Sequence, residues 1–133
     1  MSRLVDSTNS DRTQILLVDA NADFLHVATG FLQRYGDLHV VGAVGGAEEA
    51  LAQAQDLQPH VVLLDLDMPN LTGLRTIPRL RELLPRVGII TLALSNGSAY
   101  REAALAAGAD DFVSKTALVT ELLPAIRRTV HSY

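Results

Sequence analysis

The chain has 133 residues, a net charge of −4, 48% hydrophobic residues, and neither cysteine nor tryptophan. That is the length of one domain with an aliphatic core. It excludes disulfides, thiolate metal sites and a cysteine nucleophile, and it gives no strong attraction to nucleic acid or an anionic membrane.

Residues 1–13, "MSRLVDSTNSDRT", are polar and lack a signal-peptide core, so they read as a flexible N-terminal tail ahead of a domain at 14–133. No apolar run approaches the ~18 residues of a membrane span, and a cysteine-free chain suits the cytoplasm. "QILLVD" (14–19) is a short apolar run without polar alternation, which predicts a strand buried on both faces. Phe24, Val27, Phe31 and Leu32 then recur at helical spacing, with Asn21 and Asp23 as candidate caps and Gly36 closing the segment. "LHVVGAV" (38–44) is a second strand. "GAEEALAQAQDL" (46–57) is a helix with acids in its first turn, stopped by Pro59.

"HVVLLD" (60–65) is the third strand. "GLRTIPRLRELL" (73–84) is helical, and Pro78 should kink it or mark its true start. "VGIITLA" (87–93) is the fourth strand, "GSAYREAALAAG" the fourth helix, and "DFVS" (111–114) a short fifth strand. In "LVTELLPAIRRTVHSY", Pro124 fits only near a first turn, so that helix should start around residues 118–120. The pattern is βα five times over. It predicts one parallel sheet with helices on both faces and right-handed crossovers.

In such sheets ligands bind beyond the carboxyl ends of the strands. Strand one ends in Asp19, strand three in Asp65, and strand five runs into Lys115. If strands one and three are neighbours, the two carboxylates lie roughly 5 Å apart, and Lys115 starts roughly 10 Å from Asp65 at the backbone. Two acids that close call for a cation, and oxygen ligands favour Mg²⁺. A carboxylate, a hard cation and a lysine together suit the handling of a phosphoryl group.

"ILLVD", "VVLLDLDMPNLTGL", "AAGADDFVSK" and "ELLPAIRR", in this order and spacing, resemble a receiver domain of bacterial two-component response regulators over about residues 14–130. The resemblance implies a five-stranded α/β sandwich of order 2-1-3-4-5, with helices one and five on one face and two, three and four on the other. It implies that Asp65 accepts a phosphoryl group from a histidine kinase and that Lys115 contacts the phosphoryl oxygens. Asp19, Asp65 and the backbone carbonyl of Asp67 would hold Mg²⁺, and Phe112 would be the switch aromatic. The face formed by helix four, strand five and helix five would serve a homodimer or a partner protein. "ELLPAIRRTV" further resembles receivers that precede a helix-turn-helix domain, although this chain itself carries no reading helix or basic patch.

The sequence departs from that pattern at three places. Ala20 stands where a second acid usually follows Asp19, Ala93 stands where a Thr or Ser hydroxyl usually ends strand four, and Thr116 stands where a proline usually follows the lysine. Ser95, the nearest hydroxyl after Ala93, falls two residues further on, in the loop. The expectation is weak or absent Mg²⁺ binding, with either altered switching or a phosphorylation-independent receiver.

Other readings are blander or rarer. The side chain of Asp67 reads as structural. His26, His39, His60 and His131 are scattered, without metal-ligand pairing. Arg75, Arg79, Arg81 and Arg86 read as a solvated face, and Arg127 and Arg128 as complements to a helix dipole. "DLDMP" contains the DxD of haloacid-dehalogenase-type phosphotransfer enzymes, but on the third strand of a short chain rather than the first of a longer one. Otherwise the expectation is a non-enzyme, apart from its own phosphorylation and dephosphorylation.

Overall fold

A computed structural model describes residues 12–95 and 97–131. Its strands are β1 (Thr13–Val18), β2 (Leu38–Val44), β3 (Val61–Asp65), β4 (Gly88–Ala93) and β5 (Asp111–Ser114). Its helices are α1 (Ala22–Leu32), α2 (Ala47–Leu57), α3 (Thr72–Leu83), α4 (Ser98–Ala107) and α5 (Leu118–His131), with 3-10 turns at Pro69–Leu71 and Lys115–Ala117. The sheet order is β2-β1-β3-β4-β5 and every pairing is parallel. Both features match the expectation.

Successive strand residues point to opposite faces, and this divides the core in two. Leu16, Val18, Val62, Leu64 and Ile89 pack under Ala50 and Ala54 of α2, Ile77 and Leu80 of α3, and Ala104 of α4. Ile15, Leu17, Val61, Leu63, Ile90 and Leu92 pack under Ala28 and Leu32 of α1 and Leu122, Ala125 and Ile126 of α5. All five residues of β3 and all six of β4 are buried. A run with no polar alternation is what a two-faced strand requires, and each such Leu contributes roughly 1.5–3 kcal/mol on burial.

The helix boundaries follow local chemistry. The side chain of Asn21 accepts the N–H of Phe24 at 3.1 Å and caps α1, while Asp23 adds negative charge to its first turn. Gly108 closes α4 at φ 119°, a left-handed position that suits glycine. α5 begins at Leu118, inside the expected window. Pro78 does not mark the start of α3, which begins six residues earlier; both Pro78 and Pro124 sit on exposed helix faces. There the carbonyl deprived of its N–H partner can be hydrated.

Arg81 corrects the expected solvated face. Its guanidinium donates to the carbonyls of Val87 at 2.6 Å and Gly108 at 2.8 Å and to Asp110 at 3.0 Å, tying α3 to the start of β4 and the end of α4. Arg79 pairs with Glu48 at 2.8 Å on the exposed side. Arg127 pairs with Asp37 at 2.7 Å, and Arg128 with Asp111 at 2.8 Å. His60 has a structural role, its Nδ1 accepting the N–H of Gln14 at 2.8 Å. His39 Nδ1 is buried and has no hydrogen-bond partner among the described residues. Residues 1–11 of the expected tail and the side chain of His131 lie outside the described residues.

Candidate functional site

At the carboxyl edge of the sheet, the topology sets β1 beside β3, and so Asp19 beside Asp65. Asp19 follows the last residue of β1, and its N–H donates to the Val44 carbonyl of β2 at 3.0 Å. Asp65 is the last residue of β3, paired with Leu92 of β4. The two acids are 2% and 3% exposed. Gly73 supports the end of β3 from above: a Cβ there would meet the Asp65 carbonyl oxygen at 2.3 Å. Only a residue without a side chain lets α3 come this close.

Lys115 begins the 3-10 turn after β5, where the Ser114 hydroxyl accepts the N–H of Thr116 at 3.3 Å and shapes the turn. Its Nζ stands 2.6 Å from Asp19 Oδ2 and 3.2 Å from Asp65 Oδ1. The lysine therefore closes the expected gap, but its shorter bond is to Asp19 rather than Asp65. The Phe24 ring lies over the ammonium, 4.3 Å from Nζ to the ring centroid. Helical spacing alone places Phe24 on one face of α1 and does not specify this contact. Its place in the first turn of α1, five residues after Asp19, was the one available signal.

The same two carboxylates also brace the loops. Asp19 Oδ1 accepts the N–H of Asn21 at 2.8 Å, and Asp65 Oδ1 accepts the N–H of Asp67 at 3.0 Å. Asp67 Oδ2 accepts the N–H of Leu94 at 2.7 Å, so its side chain joins the loop after β3 to the loop after β4. The loop after β3 carries two consecutive non-glycine residues in the left-handed region, Asn70 at φ 60° and Leu71 at φ 56°. That conformation costs a leucine roughly 1–3 kcal/mol.

Burial pushes the Asp65 carboxyl above its ordinary range, aided by the Asp19 charge and opposed by the Asp67 N–H and Lys115. For Lys115, burial works against the charged form. The hydrogen bond that the ammonium donates to Asp19 and the charges of both carboxylates outweigh it and hold the ammonium above its ordinary value.

Ala20 is exposed and Ala93 fully buried, and neither supplies an oxygen from its side chain. The Ser95 hydroxyl accepts the N–H of Gly97 at 3.1 Å. Phe112 is 2% exposed, with the Arg101 guanidinium 5.3 Å from its ring centroid. Among the described residues, no three acids or histidines gather as a metal cluster. Mg²⁺ demands near-octahedral oxygen coordination. Two carboxylates already joined by an ammonium do not fit it. An apolar hollow of about 500 Å³, lined by Pro59, His60, Leu84, Pro85 and Val130 among others, lies at the opposite, amino ends of β3 and β4.

Residues 15–127 match the family model described as the response regulator receiver domain. Over 118 residues the chain is 29% identical to the response regulator protein VraR of Staphylococcus aureus. That match covers 87% of this chain and 56% of the relative, so the chain spans little more than half the length of the curated relatives it matches. Among solved structures, it superposes on a LuxR-family two-component response regulator from an Aurantimonas species with a TM-score of 0.86 and 26% identity, covering 91% of this chain and 86% of that one. It superposes on the response regulator domain of Thermotoga maritima CheB with a TM-score of 0.83 and 28% identity, covering 90% and 97%.

Proposed function

Because the chain belongs to the family of response regulator receiver domains, we propose that it is an atypical receiver. It signals as a module of a two-component system, and its output is largely independent of phosphorylation. Asp65 keeps the place of the phosphoacceptor and Lys115 that of the phosphoryl contact; Asp19, Asp65 and the Asp67 carbonyl are what remains of a Mg²⁺ pocket. One observation carries the reading. Lys115 is committed to Asp19 and Asp65 together, while alanines stand at positions 20 and 93. The pocket thus holds a nucleophile but lacks a third acid for the metal and a hydroxyl to follow the phosphoryl group.

On this reading Mg²⁺ binds weakly or not at all, and the chain is no enzyme beyond its own phosphorylation and dephosphorylation. A histidine kinase is the upstream partner where one acts. The α4–β5–α5 face, with Leu105 partly exposed on the small-residue helix α4, serves a second copy or a partner protein. The chain binds no nucleic acid itself and works in the cytoplasm; no described helix is long and apolar enough to cross a membrane. The DxD motif begins at the last residue of β3, the third strand, inside a matched receiver domain, which leaves nothing in favour of the phosphatase alternative.

Incubation with a small phosphodonor and Mg²⁺, followed by intact-mass analysis, tests the reading. The expected result is little phosphorylated protein and no change of oligomeric state. Rapid stoichiometric phosphorylation, abolished in Asp65→Asn and accompanied by a new oligomeric state, would overturn it.

A further inference from the structure

We propose that Lys115 is the resident cation of the acid pocket, and that Phe24 is a positioning residue that holds it there, so that the lysine itself excludes a divalent metal ion. The inference rests on the weak metal binding proposed above and gives it a cause other than the missing acid.

Both carboxylates converge on one point, and that point is occupied by Nζ. The 2.6 Å contact to Asp19 is a short, charge-assisted hydrogen bond. An ammonium has three donors. Asp19, Asp65 and the Phe24 ring cover three sides of it, and the Lys115 side chain keeps only 11% of its surface exposed. The ring centroid at 4.3 Å is well inside the ~6 Å range for a cation over an aromatic face.

The same acid builds both parts of the cage. Asp19 Oδ2 takes the ammonium. Asp19 Oδ1 fixes the Asn21 N–H, and the Asn21 side chain in turn fixes the Phe24 N–H. The turn that carries the ring is thus anchored on the carboxylate that binds the lysine.

Two carboxylates and one ammonium leave a net charge of −1. A divalent ion that took the same oxygens would either expel the lysine or stand beside it, against like-charge repulsion. An acid at position 20 would bring a third carboxylate and ease that competition without removing it. Removing the lysine should therefore create metal affinity.

The test is an NMR titration of the full chain with Mg²⁺, and with Mn²⁺ as a paramagnetic probe, read at the amides of residues 19–21 and 65–67. The unmodified protein should show no saturable change below ~10 mM. Lys115→Met should bind at least about tenfold more tightly, and its thermal midpoint should rise with added Mg²⁺. Lys115→Arg keeps the charge and should behave like the unmodified chain. Phe24→Leu keeps apolar bulk but removes the π face, and should tighten binding by a smaller factor, about threefold.

Weak binding in the unmodified chain with no gain in Lys115→Met would overturn the inference and leave the proposed function standing. Tight binding in the unmodified chain would sink both. If Lys115→Met unfolds because two buried acids lose their partner, refolding on addition of Mg²⁺ supports the proposal. If it does not refold, Phe24→Leu decides: binding no tighter than in the unmodified chain overturns the inference.

Discussion

Asp67 reaches from the end of β3 to the backbone of Leu94 at the end of β4, with Oδ2 2.7 Å from the amide nitrogen. Ala93, the residue before Leu94, has no hydroxyl with which to hold this loop to a phosphoryl group. The loop is tied instead by a carboxylate that is always present. Asp67→Ala should free the Leu94 amide, speed its hydrogen exchange by about tenfold and cost about 0.5–1.5 kcal/mol. Asp67→Asn retains an acceptor and should stay close to the unmodified protein. Equal protection of Leu94 in Asp67→Ala would show that the bond does not hold the loop.

Gly73 gives a prediction about precision at the site. An added methyl would lie 2.3 Å from the Asp65 carbonyl oxygen and 3.0 Å from Leu66 Cα, both backbone atoms. Neither can swing aside as a side-chain end can, so α3 must lift away from β3. Gly73→Ala should cost about 1–3 kcal/mol in a denaturant melt and shift the amides of residues 65–67. A loss too small to measure would mean that the helix is not seated as described.

Much of this was legible in the chain, for physical reasons that differ by element. A two-faced strand must be apolar at every position, so "VVLLD" announced β3 and carried Asp65 to the edge with it. Crossover connections then fixed which edge, and hence the meeting of Asp19, Asp65 and Lys115. The partners within that meeting were not legible. Nothing in the spacing says that Lys115 lies closer to Asp19 than to Asp65, because that depends on where a flexible four-carbon stem comes to rest. The contacts of Phe24 and Arg81 were not legible for the same reason. Periodicity assigns a face, but it does not say which charged group of another element arrives there.

The pH dependence follows from Asp65. Burial raises its folded pKa above the ordinary 3.8, so the folded state binds a proton more readily than the unfolded chain. The ionised carboxylate is then a cost to folding at neutral pH, relieved as pH falls through the folded pKa. Lys115 has the opposite sense. Its raised pKa means a stabilising contribution present below 10.5 and lost as pH rises through the folded value. Asp65→Asn keeps an oxygen for Lys115 and for the Asp67 N–H but removes the buried charge. Its melting temperature should exceed that of the unmodified protein at pH 7, with the gap closing toward pH 4. A lower melting temperature at pH 7 would mean that the ion pair outweighs the burial.

Ala20→Asp adds the acid that the pocket lacks, next to Asp19 and on the open side of the loop. It should restore part of the Mg²⁺ affinity, giving saturable shifts at low millimolar concentration. The restoration should be incomplete while Lys115 remains between Asp19 and Asp65. A full return to tight binding with the lysine in place would show that only the third carboxylate was missing.

The last prediction concerns switching. A modification can shift a conformational equilibrium only as far as its contacts differ between the two states. A phosphoryl group on Asp65 would meet a lysine already bonded to Asp19, a loop already tied by Asp67, and no hydroxyl at position 93. Phe112 is already buried, so it has little further to travel inward. Beryllofluoride with Mg²⁺, the acyl-phosphate mimic, should therefore fail to bind, or should bind with shifts confined to the pocket. The Phe112 ring and the amides of α4 should stay where they are. Shifts that spread from Asp65 through the loop after β4 to α4 and β5, and that vanish in Asp65→Asn, would show a working switch despite Ala93. In that case Lys115 must leave Asp19 when the mimic arrives, and the Asp19–Lys115 bond would be the resting half of the switch rather than a permanent tie.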